Sequence, residues 1–153
     1  MTIQYTTGDL LTDDADVLVN PVNCVGVMGA GLALAFRRAH PAMFREYAAL
    51  CAAGSVVPGT VYAHDIGGRV VVNLPTKRHW RDPSRLDDVR AGLDALAAWL
   101  GSWPSPPTVA LPAVGCGLGG LPWSSVQPVI EATMAPLSAQ VRVYSPHSPR
   151  PGR

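Results

Sequence analysis

Lys77 stands in the run "TKRHWR" (residues 76–81), an amine set among Arg78, His79 and Arg81. Cations this close repel one another, and they persist where solvent screens them or where an anion binds. A lysine in such a place has two chemical uses. It pairs with a phosphate as a point charge, or, once neutral, it attacks an electrophilic carbon. Elsewhere in the chain lie two glycine-rich stretches, "NPVNCVGVMGAGLA" (20–33) and "PAVGCGLGGLPW" (112–123). Each runs from an apolar, β-prone segment into a helix-prone one. Glycine lets backbone N–H groups approach a ligand, and the start of a helix adds a potential that favours phosphate. Two such loops facing each other suit a diphosphate, although either one alone is equally well explained as a tight turn. Neither ends in "GK[ST]", and the first lacks the later acidic residue of a dinucleotide fold, so nucleotide hydrolysis and hydride transfer are disfavoured.

The elements that must position these residues follow from pattern. Residues 3–6 are β-prone, and Val17, Leu18 and Val19 form a continuous apolar run of the kind found in strands buried on both faces. "GLALAFRRAH" from Gly31 reads as helix, and Pro41 suits the first turn of a second one, with Met43, Phe44, Tyr47, Leu50 and Cys51 on one face and Gly54 as its stop. Strands are expected at 61–64 and 69–73. Ser84 with Asp87 resembles a capping box ahead of a helical face of Leu86, Val89, Leu93, Leu96 and Leu100. A strand at 109–111, a helix opened by a second box of Ser124 and Gln127 with a tolerated Pro128, and a last strand at 141–144 complete the order. Strands alternating with helices imply an α/β fold whose sheet, largely parallel, is covered on both faces and binds ligands at the carboxyl ends of its strands.

The chain has 153 residues, 48% of them hydrophobic, enough for one domain with a buried core, expected over 1–146, and a disordered proline- and arginine-rich tail at 147–153. A net charge of +1 makes any nucleic-acid contact a local matter. Cys24, Cys51 and Cys116 are odd in number and widely spaced, and no secretory signal or long apolar span is evident, which favours a reduced cytoplasmic setting without a membrane. The four histidines form no close ligand pair, so no metal site is expected.

Taken in order, "GDL", "VLVNPVN", "GVMGAGLA", "NLPTKRHW" and "GCGLGGLPW" resemble the macrodomain family, which binds ADP-ribose, over residues 3 to about 145. Within it they are similar to the branch that contains the terminal ADP-ribose protein glycohydrolase and the DNA ADP-ribosyl glycohydrolase antitoxins. The resemblance implies a three-layer α/β/α macrodomain with a mixed, largely parallel sheet of about six strands. It places Asp9 and the Leu10 backbone at the adenine, where Asp9 otherwise reads as a loop cap. Asn20 and Asn23 fall at the distal ribose, Asn20 alternatively bonding the neighbouring strand. Gly29, Ala30 and Gly31 pass over ribose and diphosphate, and Gly115, Cys116, Gly117, Leu118 and Gly119 cradle the phosphates from the other side. Tyr144 flanks the adenine or packs at the sheet edge, and Cys116 reads as a small loop residue rather than a nucleophile.

In the resembling enzymes the lysine at position 77 attacks the anomeric carbon of the distal ribose. An ordinary lysine, with pKa about 10.4, is mostly charged near neutral pH, so the attack requires surroundings that disfavour the charge. Arg78, Arg81 and partial burial under the nucleotide are the expected causes. The protein-directed enzyme has an aspartate after "GCGL", where this chain has Gly119; the DNA-directed relatives carry glycines there. That departure shifts the expected substrate towards ADP-ribosylated thymidine in DNA without excluding glutamate or aspartate esters on protein. His79 is a candidate substitute proton donor. The implied activity is mono-ADP-ribosyl hydrolysis by a monomer, with ADP-ribose as product and no cofactor; a non-catalytic ADP-ribose reader is the alternative.

Overall fold

The valine-rich segments pair into one sheet of six strands in the computed structural model, which describes residues 2–146. The tail expected to be disordered, 147–153, lies outside the described residues. The strands are β1 (Ile3–Thr6), β2 (Val17–Asn23), β3 (Tyr62–Asp65), β4 (Val70–Lys77), β5 (Thr108–Pro112) and β6 (Gln140–Tyr144). Their order is β1-β6-β5-β2-β4-β3. Every pairing is parallel except that of the edge strand β3 on β4.

Side chains alternate across the sheet, and each set meets its own helices. Val17, Val19, Val72, Leu74, Val109 and Leu111 face α3 (Leu86–Gly101) and α4 (Trp123–Met134), which contribute Val89, Leu93, Leu96 and Ile130. Leu18, Val22, Val71 and Ala110 point the other way, onto α1 (Gly31–Ala39) and α2 (Pro41–Ala52) through Phe36, Met43 and Tyr47. The result is the three-layer α/β/α arrangement. Where α3 crosses β4, Gly92 leaves no room for a side chain, since an added Cβ would lie 2.8 Å from Leu74 Cδ2. Gly92→Ala is therefore expected to cost about 1–3 kcal/mol through overpacking, despite alanine's better helix propensity. A lowered denaturant midpoint at unchanged slope is the check.

Both expected capping boxes are absent. Helix α3 is N-capped by Arg85 without a side-chain bond, and Ser84 is instead buried, its N–H donating to Gly119 O at 2.9 Å and its Oγ without a partner. Helix α4 starts one residue before Ser124, capped by the Pro122 backbone, and continues through Pro128 to Met134.

Strand β4 also runs further than expected, through Pro75 to Lys77. β3 covers it only as far as Asn73, and beyond that point one edge of β4 has no strand partner, which is where a proline's missing donor is tolerated. The same reasoning explains Pro21 in β2, because β5 pairs with β2 only at Val17 and Leu18. Past those residues the two strands separate. From β2 the chain proceeds to strands on one side, and from β5 to β6 on the other, so a crevice opens at the topological switch point of the sheet.

Candidate active site

The crevice is a cleft of about 1060 Å³ walled by the ends of β2, β4 and β5 and by both glycine loops. Its first wall is the β2–α1 turn. Asn23 holds that turn from within: its Oδ1 accepts from the N–H groups of Val25 (3.0 Å) and Val27 (3.4 Å), and its Nδ2 donates to Val27 O at 2.7 Å. The Tyr47 hydroxyl lies 2.7 Å from the Asn23 carbonyl and 2.8 Å from Oδ1, and burial pushes that phenol's pKa up. Helix α1 then opens at Gly31, with φ +59, and its first turn carries no side-chain cap and no acidic residue. Gly31, Leu32 and Ala33 line the cleft, so the unsatisfied N–H groups of a helix start face a space that suits an anion.

The second wall follows β5. Internal backbone bonds fold the loop tightly: Val114 N–H to Pro112 O, Cys116 N–H to Ala113 O, Gly120 N–H to Gly117 O and Leu121 N–H to Gly115 O. The N–H groups of Gly117, Leu118 and Gly119 donate to none of these bonds, and the three residues lie along the cleft. The loops approach each other at their tips, where an added Cβ on Gly31 would meet Leu118 Cδ1 at 3.6 Å. Cys116 lines the cleft with its thiol pKa raised by burial, the wrong direction for a nucleophile.

The third wall is the end of β4. Lys77 and Arg81 line the cleft with Thr76 and Trp80, and no carboxylate is among the lining residues described. Lys77 Nζ donates to Trp80 O at 3.3 Å. Arg78 is turned away from the role expected of it. Its guanidinium grips Asp88 of α3 with bonds of 3.0 and 3.2 Å, so its charge is largely neutralised rather than directed at Lys77. The two hydrogen bonds to Asp88 raise the Arg78 pKa further.

Of the residues assigned from sequence, Asn23, Gly29, Ala30, Gly31, Lys77, Gly115, Cys116, Gly117, Leu118 and Gly119 come together around the cleft. Asn20 does not. It is fully buried, with Nδ2 donating to Asn73 Oδ1 at 3.0 Å across the β2–β4 pair, so its amide joins strands instead of facing a sugar. Asp9 and Leu10 lie outside the lining: Asp9 Oδ1 accepts from Leu11 N–H at 3.0 Å and caps the 3-10 turn Leu10–Thr12, and Leu10 is buried. Tyr144 donates to the buried carboxylate of Asp13 at 2.6 Å, with its own pKa pushed up to about 12 chiefly by burial, while the nearby Pro146 reaches the cleft. His79 is beside the cleft rather than in its wall. Its Nδ1 accepts from Arg81 N–H at 3.1 Å, which leaves the ring proton of the neutral form on Nε2. Arg81, expected beside Lys77, is in the wall, and so is Trp80 of the same charged run; Thr76 also lines the cleft, with no signal in its type or spacing beyond its place next to Lys77.

A model of the Macro domain matches residues 19–130, which include the β2–α1 turn, Lys77 and the β5 loop. The chain belongs to the macrodomain family. This macrodomain is 44% identical over 129 residues to a DNA ADP-ribosyl glycohydrolase of Mycobacterium tuberculosis, a match covering 82% of this chain and 36% of that protein. The chain thus spans little more than a third of that curated relative. Among solved structures it is similar to the macrodomain of Mycobacterium tuberculosis DarG, with TM-score 0.91 and 40% identity over 95% of this chain and 98% of the other. It also resembles Thermosipho africanus DarTG in complex with ADP-ribose, with TM-score 0.89 and 28% identity over 97% of this chain and 42% of that one. No helix among the described residues is long and apolar enough to cross a membrane.

Proposed function

We propose that this macrodomain is an ADP-ribosyl glycohydrolase that releases mono-ADP-ribose from a modified carrier, with Lys77 as nucleophile. One observation carries the reading: an amine lines a cleft that has no carboxylate among its described lining residues and whose other two walls present backbone N–H groups suited to a diphosphate. The pyrophosphate bridges the two loops, and the distal ribose is thereby delivered to the end of β4. Neutral Lys77 donates its nitrogen lone pair to the anomeric carbon. The bond from that carbon to the carrier breaks, and the carrier keeps the electron pair and takes up a proton. Water then replaces the lysine nitrogen, giving ADP-ribose and free enzyme. Positive charge developing on the anomeric carbon is shared with the ring oxygen, so orientation does much of the work.

The relatives named DNA ADP-ribosyl glycohydrolase support DNA as the carrier over glutamate or aspartate on protein; Gly119, where protein-directed enzymes carry an aspartate, is the ground for thymidine as the modified nucleoside. The active unit of this reading is a monomer, since one chain supplies all three walls. It acts in the cytoplasm, in keeping with three unpaired cysteines. An ADP-ribose reader is the second reading, and what favours it is that no carboxylate able to activate water is among the described lining residues. Incubating an ADP-ribosylated oligonucleotide and a glutamate-modified protein with the macrodomain decides between them. Release from the oligonucleotide is expected; release from neither carrier would leave the reader.

A further inference from the structure

The cleft accounts for ADP-ribose but leaves an unexplained feature at its mouth. Trp80 is 46% exposed, a large apolar side chain that burial elsewhere would have stabilised. It is not loosely held. Lys77 Nζ donates to its carbonyl, Arg81 N–H donates to His79 Nδ1 and Asp82 N–H donates to His79 O at 3.1 Å, so the turn that carries the ring is fixed on both sides. Planar groups stack on it: the Arg81 guanidinium carbon lies 4.6 Å from the ring centroid, and the His79 ring lies 5.5 Å away at an interplanar angle of 29°. Val27 and Leu118, the latter 70% exposed, line the same cleft from its other two walls.

Resting on the DNA glycohydrolase reading, we infer that Trp80, with Arg81 stacked upon it, is a platform for an unpaired nucleobase next to the modified nucleotide, and so a specificity determinant for single-stranded DNA. The chemistry of the rim selects this carrier. An acidic peptide would call for several free cations, yet Arg78 is held by Asp88, and among the described residues Lys77 and Arg81 are the only cations lining the cleft. A nucleobase offers uncharged, apolar faces that match an indole and a guanidinium plane, and its phosphate places a negative charge within reach of Arg81. A base still paired in a duplex presents no free face, so the modified nucleotide and its neighbour must be unstacked to reach the cleft.

The test uses the Lys77→Ala background, which holds substrate without turnover. Dissociation constants are measured for free ADP-ribose and for single-stranded oligonucleotides bearing ADP-ribosyl thymidine, with either a base or an abasic site beside it. The intact neighbour is expected to tighten binding about 5- to 150-fold over the abasic one, the range of one stacked base. Adding Trp80→Ala should erase most of that difference, weakening the oligonucleotide far more than free ADP-ribose, and Trp80→Phe should restore part of it. Equal losses for oligonucleotide and free ADP-ribose would make Trp80 a cover for the sugar and overturn the inference. So would an abasic neighbour that binds as well as an intact one. Failure of the hydrolase reading has a separate signature, an unmutated chain that releases nothing from any carrier.

Discussion

Lys77→Ala should lower single-turnover release of ADP-ribose by a thousandfold or more, on the order of what is lost when the nucleophile of a covalent mechanism is removed. Its affinity for free ADP-ribose should change only a few-fold, because in the proposed pose the diphosphate lies against the N–H groups of the two loops rather than this amine. Lys77→Arg separates the two uses of a cation. Arginine keeps the charge at the end of β4 but stays protonated and cannot attack carbon. If Lys77 served only to neutralise a phosphate, the arginine variant would retain most of the activity. The nucleophile account expects it to be as slow as the alanine variant, as read by release from an ADP-ribosylated oligonucleotide under enzyme excess.

The second large effect is expected at Gly119. A Cβ there would overlap Ser84 Oγ and stand 2.5 Å from the carbonyl oxygen of Gly115, so even alanine must displace the loop that lines the cleft. Gly119→Ala should lose stability by about 1–3 kcal/mol and ADP-ribose affinity by tenfold or more. Trimming the serine does not repair it: Gly119→Ala with Ser84→Gly still confronts the Gly115 carbonyl. Gly117, two residues away, has open space around its Cβ position, and Gly117→Ala should leave the unfolding midpoint nearly unchanged. Calorimetric titration with ADP-ribose and thermal unfolding of the three variants provide the check. The packing also bears on the aspartate that resembling protein-directed enzymes carry at this point. In this chain the Ser84 side chain occupies the space that any side chain at 119 would need, so an acid cannot be added there without rebuilding the start of α3.

The sheet and its two helical faces were legible because continuous apolar runs such as Val17 to Val19 have one stable use, a strand covered on both sides. The cleft was legible in outline, since glycines between a strand and a helix fall at strand ends whatever the details. What escaped depended on partners distant in sequence. The strand expected at 69–73 continues through Pro75 to Lys77, and only the short reach of β3 shows why it can. Ser84 has the type and spacing of a cap, but contact with Gly119 draws it into the core. Asn20 could serve a sugar or a strand equally well until its register against Asn73 decided the matter. Arg78 shares a charged run with Lys77, yet Asp88, in the first turn of α3, claims it. Asp9 fills its capping role with Oδ1, and contact with adenine would fall to its remaining oxygen.

A crystal structure of the macrodomain with ADP-ribose tests the central claim most directly. The account predicts the diphosphate between the first turn of α1 and the amides of Gly117, Leu118 and Gly119, with the anomeric carbon of the distal ribose about 3–3.5 Å from Lys77 Nζ. A diphosphate bound elsewhere, or a distal ribose directed away from the end of β4 with Lys77 still bonded to the Trp80 carbonyl, would contradict it.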